Sequence, residues 1–139
     1  QNAALSMRYC NNAIAAIDTM KTLAVRNQYR LEVYEQVTKL VQFSGKTMIA
    51  LQAYDIASND LERKEALAIL QLLPLEFNSL RAEFEQVYAK TRILNKPEGF
   101  KLDQDHHLHM ANQSLNFDWQ FWSEIYFLEK LTKEISNLK

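Results

Sequence analysis

The residues with the densest potential for chemistry stand together at Asp103–Gln104–Asp105–His106–His107–Leu108–His109, which holds all three histidines of the chain. Imidazole and carboxylate are the ligands of zinc and other first-row metals, so metal coordination is the first chemistry to weigh. The spacing argues against it. His106 and His109 share a face only within a helical turn, and there is neither an HExxH helix nor a Cys/His ligand set. The expectation is a polar loop whose imidazoles and carboxylates hydrogen-bond one another. No metal and no other cofactor is expected, and a His-loop metal-binding bundle is the lesser rival.

Covalent catalysis has fewer candidates. The single cysteine, Cys10, is spaced from Met7, Ile14 and Ile17 as part of an apolar helical stripe, which marks a buried structural thiol. No GxSxG elbow occurs, and Gly45 and Gly99 are too far apart to cradle a phosphate. The 17 carboxylates form no constellation that nominates two acids across a glycosidic bond. No catalytic residue is expected within the chain.

The elements that must position any site are helices. Only four of 139 residues are Gly or Pro, against roughly 12% in an average protein, and sheets, hairpins and nucleotide loops spend those residues at their turns. Apolar residues make up 47% and charged ones 24%, ordinary totals for one folded domain with a single core. Sixteen basic residues against 17 acidic ones give a net charge of −1, so no nucleic-acid footprint is visible. No apolar run approaches the roughly 20 residues of a membrane span. Near-neutral charge and one thiol suit cytoplasm or periplasm equally. Gln rather than Met at position 1 leads us to expect the C-terminal piece of a larger protein.

Periodicity predicts an all-α, up-and-down bundle of three long helices plus a C-terminal helix, with a long loop at about 95–115. A first helix, residues 3 to 25, aligns Met7, Cys10, Ile14, Ile17 and Ala24, with Lys21 interrupting the seam. After a turn at 26–29, a second helix reads through Val33, Val37, Leu40, Ser44, Met48 and Leu51 to about Ala57. Glu35 and Lys39 there form an i,i+4 pair that marks a solvent face. Gly45, costly in mid-helix, implies close approach of a neighbouring helix. Asn59 and Glu62 read as a capping box. A third helix then carries Ala66, Leu70, Leu73, Phe77, Leu80, Phe84, Val87, Thr91 and Leu94 without losing phase at Pro74. One helix of about 35 residues kinked at Pro74 is expected, in preference to a break there. Lys90 and Arg92 at its end favour the helix dipole and are placed to meet Asp103 or Asp105.

The last helix, Phe117 to about Leu138, is apolar on two sides. Phe121, Leu128, Leu131 and Ile135 align on one line, with Glu124 near it as a rim residue. Trp119, Trp122 and Tyr126 fall on the opposite face. Three readings follow: a docking face for another domain or subunit, a platform covered by the His-containing loop, or a sugar-stacking surface. Docking is the expectation, since such aromatic clusters anchor interfaces.

Residues 84 to 122, FEQVYAKTRILNKPEGFKLDQDHHLHMANQSLNFDWQFW, resemble the C-terminal helical region of some bacterial family 20 glycoside hydrolases, the exo-β-N-acetylhexosaminidases. The resemblance covers roughly residues 77 to 128. It is strongest at Tyr88, Lys90–Thr91–Arg92, Asn95–Lys96–Pro97–Glu98–Gly99–Phe100 and His106–His107, while residues 1 to 75 match only as generic long helices. It implies a catalytic (β/α)₈ barrel followed by a helical domain that packs on that barrel or on a second subunit, in an enzyme acting on carbohydrate. In that family the acid is the Glu of an Asp–Glu pair, whose Asp orients the attacking acetamido group of the substrate. No Asp–Glu pair occurs here. The implied role is therefore a non-catalytic accessory domain of a β-N-acetylhexosaminidase-like parent, whose loop 95–115 reaches towards a substrate cleft. The alternative is a free-standing helical protein-interaction module.

Overall fold

A computed structural model describes residues 2–92, 94 and 120–137. Four helices account for nearly all of them: α1 (Asn2–Leu23), α2 (Gln28–Ile56), α3 (Asp60–Ala89) and α4 (Trp122–Asn137). The described residues contain no strand. Three long helices plus a C-terminal one form an up-and-down bundle in which α2 packs between α1 and α3, and α4 lies against α3.

The two described turns are built from polar side chains that satisfy helix ends. Between α1 and α2, Asn27 adopts the left-handed conformation (φ 61°), which Asn tolerates better than most residues. The Gln28 amide then donates to the carbonyls of Lys21 (3.2 Å) and Ala24 (2.7 Å), acceptors that the end of α1 leaves open. Before α3, the Asn59 side chain accepts from the Glu62 N–H (3.0 Å), while the Glu62 carboxylate accepts from the Ser58 N–H (2.8 Å). The capping box thus closes one residue further upstream than its usual form.

Helix α3 carries the core. Ala66, Leu70, Leu73, Phe77, Leu80, Phe84 and Val87 are all buried, and the helix continues through Pro74, so the alternative of a break there is not adopted. Pro74 has no N–H for the Leu70 carbonyl, yet the seam on both sides packs into one cluster. The helix ends at Ala89, earlier than the apolar spacing suggests, because Thr91 is exposed in the following turn. Leu94 nevertheless reaches the cluster.

The seam expected on α2 is corrected. The buried residues are Gln36, Phe43, Gly45, Thr47 and Ala50, whereas Val37, Ser44 and Met48 are exposed. Leu40 and Leu51 of the expected seam do pack against the core, but a helix flanked on two sides buries two stripes, and most of the rest of one heptad seam falls on the open face. Phe43 sits 5.4 Å from Phe77 on the α3 side. On the α1 side, a Cβ added at Gly45 would come within 3.1 Å of the Met7 side chain and 3.6 Å of the Ala3 carbonyl. The Met7 side chain of α1 fills the space that a Cβ at position 45 would need.

Ion pairs cross from α2 to α3 at regular steps. Glu32 meets Lys90 (2.6 Å), Lys39 meets Glu83 (2.8 Å), and Lys46 meets Glu76 (2.5 Å), each partner seven residues from the next on its helix. A slip of seven residues either way would set Glu32 against Glu83 or Lys39 against Lys90. Each pair is partly exposed and worth little in stability, but the sign pattern disfavours both neighbouring registers.

The close approach at Gly45 has a measurable consequence. Gly45→Val is expected to cost about 1–3 kcal/mol, and less in a Met7→Ala background. Urea denaturation of the four variants checks this, and an equal cost in both backgrounds would show that Met7 is not the obstacle.

Candidate functional site

The site begins with the way α4 is seated. Phe121, just ahead of the helix, is buried edge-on against Phe77 (5.8 Å, 81°) and Phe84 (5.5 Å, 87°). Leu128 is buried two turns on, with Ile125, Phe127, Leu131 and Ile135 packed beside it. One residue advances a helix by roughly 100°, so burying Phe121 turns Trp122 away from the bundle. Trp122 is 69% exposed and Tyr126, one turn later, is 52% exposed. Their rings stack at 6.3 Å with 20° between planes. The Lys130 ammonium lies 5.4 Å from the centroid of the Tyr126 ring and extends the stripe by another turn. Two large rings held parallel in water, with a cation at one end, offer apolar area and a charged rim.

The two aromatic residues thus stand where the helical wheel puts them. Trp119, the third member of the expected face, lies outside the described residues, as do Phe117 to Asp118 and the whole of loop 95–115 with Asp103, Asp105, His106, His107 and His109. Glu124 is half-buried at the rim of a groove of about 230 Å³ between α2 and α4, which Phe43, Thr47, Met48, Leu51 and Phe127 also line. Cys10 is a buried free thiol, as its stripe predicts. Among the described residues no group of three or more His, Cys, Asp or Glu side chains could hold a metal ion.

The two cations after α3 turn to the start of α2. Lys90 is hydrogen-bonded to both carboxylate oxygens of Glu32 at 2.6 and 2.7 Å. Arg92 donates to the Tyr29 hydroxyl (2.8 Å) and lies 4.7 Å from the Tyr88 ring centroid, which itself stacks on Phe84 (4.4 Å). Thr91 donates to the same hydroxyl (2.8 Å). A tyrosine oxygen with two donors, a cation over a ring and a bidentate Lys–Glu contact fix the end of α3 against α2.

The Glu35–Lys39 pair does not mark a solvent face. Glu35 accepts from Lys21, the residue that interrupts the α1 seam, and also contacts Lys39 (3.1 Å), which reaches on to Glu83. This chain joins α1, α2 and α3. Partial burial alone would raise the Glu35 carboxyl, but hydrogen bonds from Lys21 and Lys39 outweigh it and hold the group below its ordinary value. Burial alone would lower the Lys39 ammonium, and Glu83 and Glu35 instead hold it above its ordinary value. The interhelical charges escaped the periodicity reading. Their signal is the seven-residue spacing of 32, 39 and 46 opposite 76, 83 and 90.

No family model matches the chain, and neither does any curated protein or solved structure.

A depressed carboxyl stabilises the fold above its unfolded-state pKa, and that contribution drains as pH falls towards the folded-state value. Glu35 should therefore add stability at neutral pH and lose it from about pH 5 downward, while the Lys39 contribution fades only at strongly alkaline pH. Glu35→Gln is expected to lower the urea midpoint at neutral pH and to flatten its fall between neutral and acid. A parallel shift at every pH would contradict this.

Proposed function

We propose that the chain is a non-catalytic helical accessory domain that docks against another body through the Trp122–Tyr126 face. The observation that carries this reading is a stacked pair of large aromatic rings left in water on the side of α4 opposite its buried stripe. Core packing does not explain them, since Phe121 and Leu128 already seat the helix. Rings of this kind are the side chains that most often dominate binding energy at interfaces. The body proposed to cover them is a catalytic barrel of β-N-acetylhexosaminidase type. The support for that finer statement is the likeness of residues 77 to 128 to the helical region of those enzymes, together with the lack of an Asp–Glu pair in the chain.

The reading frame that encodes the chain and an activity assay test this together. The frame is expected to encode a barrel upstream, adding roughly 250 residues, with an Asp–Glu pair after a strand. The longer protein should release nitrophenol from p-nitrophenyl N-acetyl-β-glucosaminide, and the 139-residue chain should not. A frame that opens close to Gln1 would overturn the enzyme reading.

The docking face has its own test. Trp122→Ser with Tyr126→Ser is expected to leave the helicity and thermal midpoint of the isolated chain unchanged, because exposed side chains contribute within about 0.5 kcal/mol. In the longer protein the same pair should lower the midpoint by several degrees. An unchanged midpoint there would refute docking through these rings.

A further inference from the structure

A second apolar face lies on other helices, along the outer groove between α1 and α2. Towards one end, Leu5 and Tyr9 of α1 line a groove of about 490 Å³ with Val37 and Val41 of α2. Further along the same pair of helices, Met20 and Leu23 line a groove of about 470 Å³ with Tyr34. Tyr34 and Val37 are one helical turn apart, so the two stretches join into one stripe. We propose that this stripe is the contact between two copies of this chain, independently of what covers α4.

Area is the first argument. Every one of these side chains is more than two-fifths exposed, with Tyr9 at 60%, Tyr34 at 62% and Leu23 at 75%. Seven large apolar side chains left in water along one line form the kind of contiguous patch that marks an interaction surface. One partner in a standard interface contributes about 800 Å² in all, of which somewhat over half is apolar. The stripe supplies the apolar centre that an interface of this size requires.

Charge is the second argument. The first 17 residues of the chain contain one charged side chain, Arg8, and its guanidinium lies 5.7 Å from the Tyr9 ring centroid. On α2 the charges within this stretch, Glu35 and Lys39, are engaged with α1 and α3. Arg26 and Arg30 stand only at the far end of the stripe. A surface without an unpaired charge at its centre meets its own copy with none to desolvate, which is what the core of an interface between identical chains requires.

Sedimentation of the chain at about 100 μM tests the proposal. The expected mass is twice the 16.3 kDa of one chain. Tyr9→Glu with Val41→Glu should halve it while far-ultraviolet dichroism keeps its helical signal, and Trp122→Ser with Tyr126→Ser should leave it doubled. Should the glutamate pair unfold the chain, Tyr9→Ser with Tyr34→Ser provides the same test, and at least a tenfold weaker association is expected. A monomer at this concentration, a dimer that survives these substitutions, or one lost on changing α4 instead would each overturn the assignment. None of those outcomes bears on the reading frame or the glycosidase assay.

Discussion

The relative register of α2 and α3 is the constraint on which the rest of the bundle depends. It is fixed twice over, by an apolar seam that buries Leu73, Phe77 and Phe84, and by three ion pairs at seven-residue steps whose end pair reverses sign. The seam supplies the energy. Burial of each large side chain is worth about 1.5–3 kcal/mol, whereas partly exposed ion pairs contribute far less. The pairs supply choice among registers that the seam alone would tolerate, since a heptad of leucines and phenylalanines repeats after a slip of seven. Where α3 stands determines where Phe77 and Phe84 stand, and these two rings form the seat of Phe121.

From that seat the outer surface of α4 follows. A single buried ring at the threshold of the helix sets its rotation, and the next residue is carried outward by helix geometry. The aromatic pair on the outside is therefore held by the core on the inside. Its neighbours have no rotational freedom to hide it, because turning Trp122 inward would withdraw Phe121 and Leu128 from the cluster. What the core fixes is the direction in which the pair faces, so a partner meets it at a set place on the surface.

Much of this was legible in the amino-acid order. The α3 seam emerged residue for residue from Ala66 to Val87, because a helix packed along one line announces its period. Gly45 pointed to a close helix crossing, and Asn59 with Glu62 to a cap. The phase of α2 was not legible. Its apolar residues serve two neighbours and an open face at once, so a single period of 3.5 catches Leu40 and Leu51 at the core and Val37 and Met48 on the open face. Lys21 interrupts the α1 seam because its partner, Glu35, lies fourteen residues away on α2, beyond the reach of a local pattern. Of the candidate site, Trp122 and Tyr126 were placed by the wheel alone, whereas the partners of Lys90 and Arg92 lie some sixty residues back at Glu32 and Tyr29, a distance that no local pattern spans.

The lone thiol lends the bundle one more property. Cys10 is buried under α2 at the start of the molecule, and α1 holds just one other buried residue, Ile17. Cys10 lies at the floor of the outer groove with 7% of its surface exposed, so a thiol-alkylating reagent reaches the sulfur faster whenever α1 lifts from α2. The chain therefore carries a built-in reporter of its own breathing, read at one atom and specific to the helix least covered by the rest of the core.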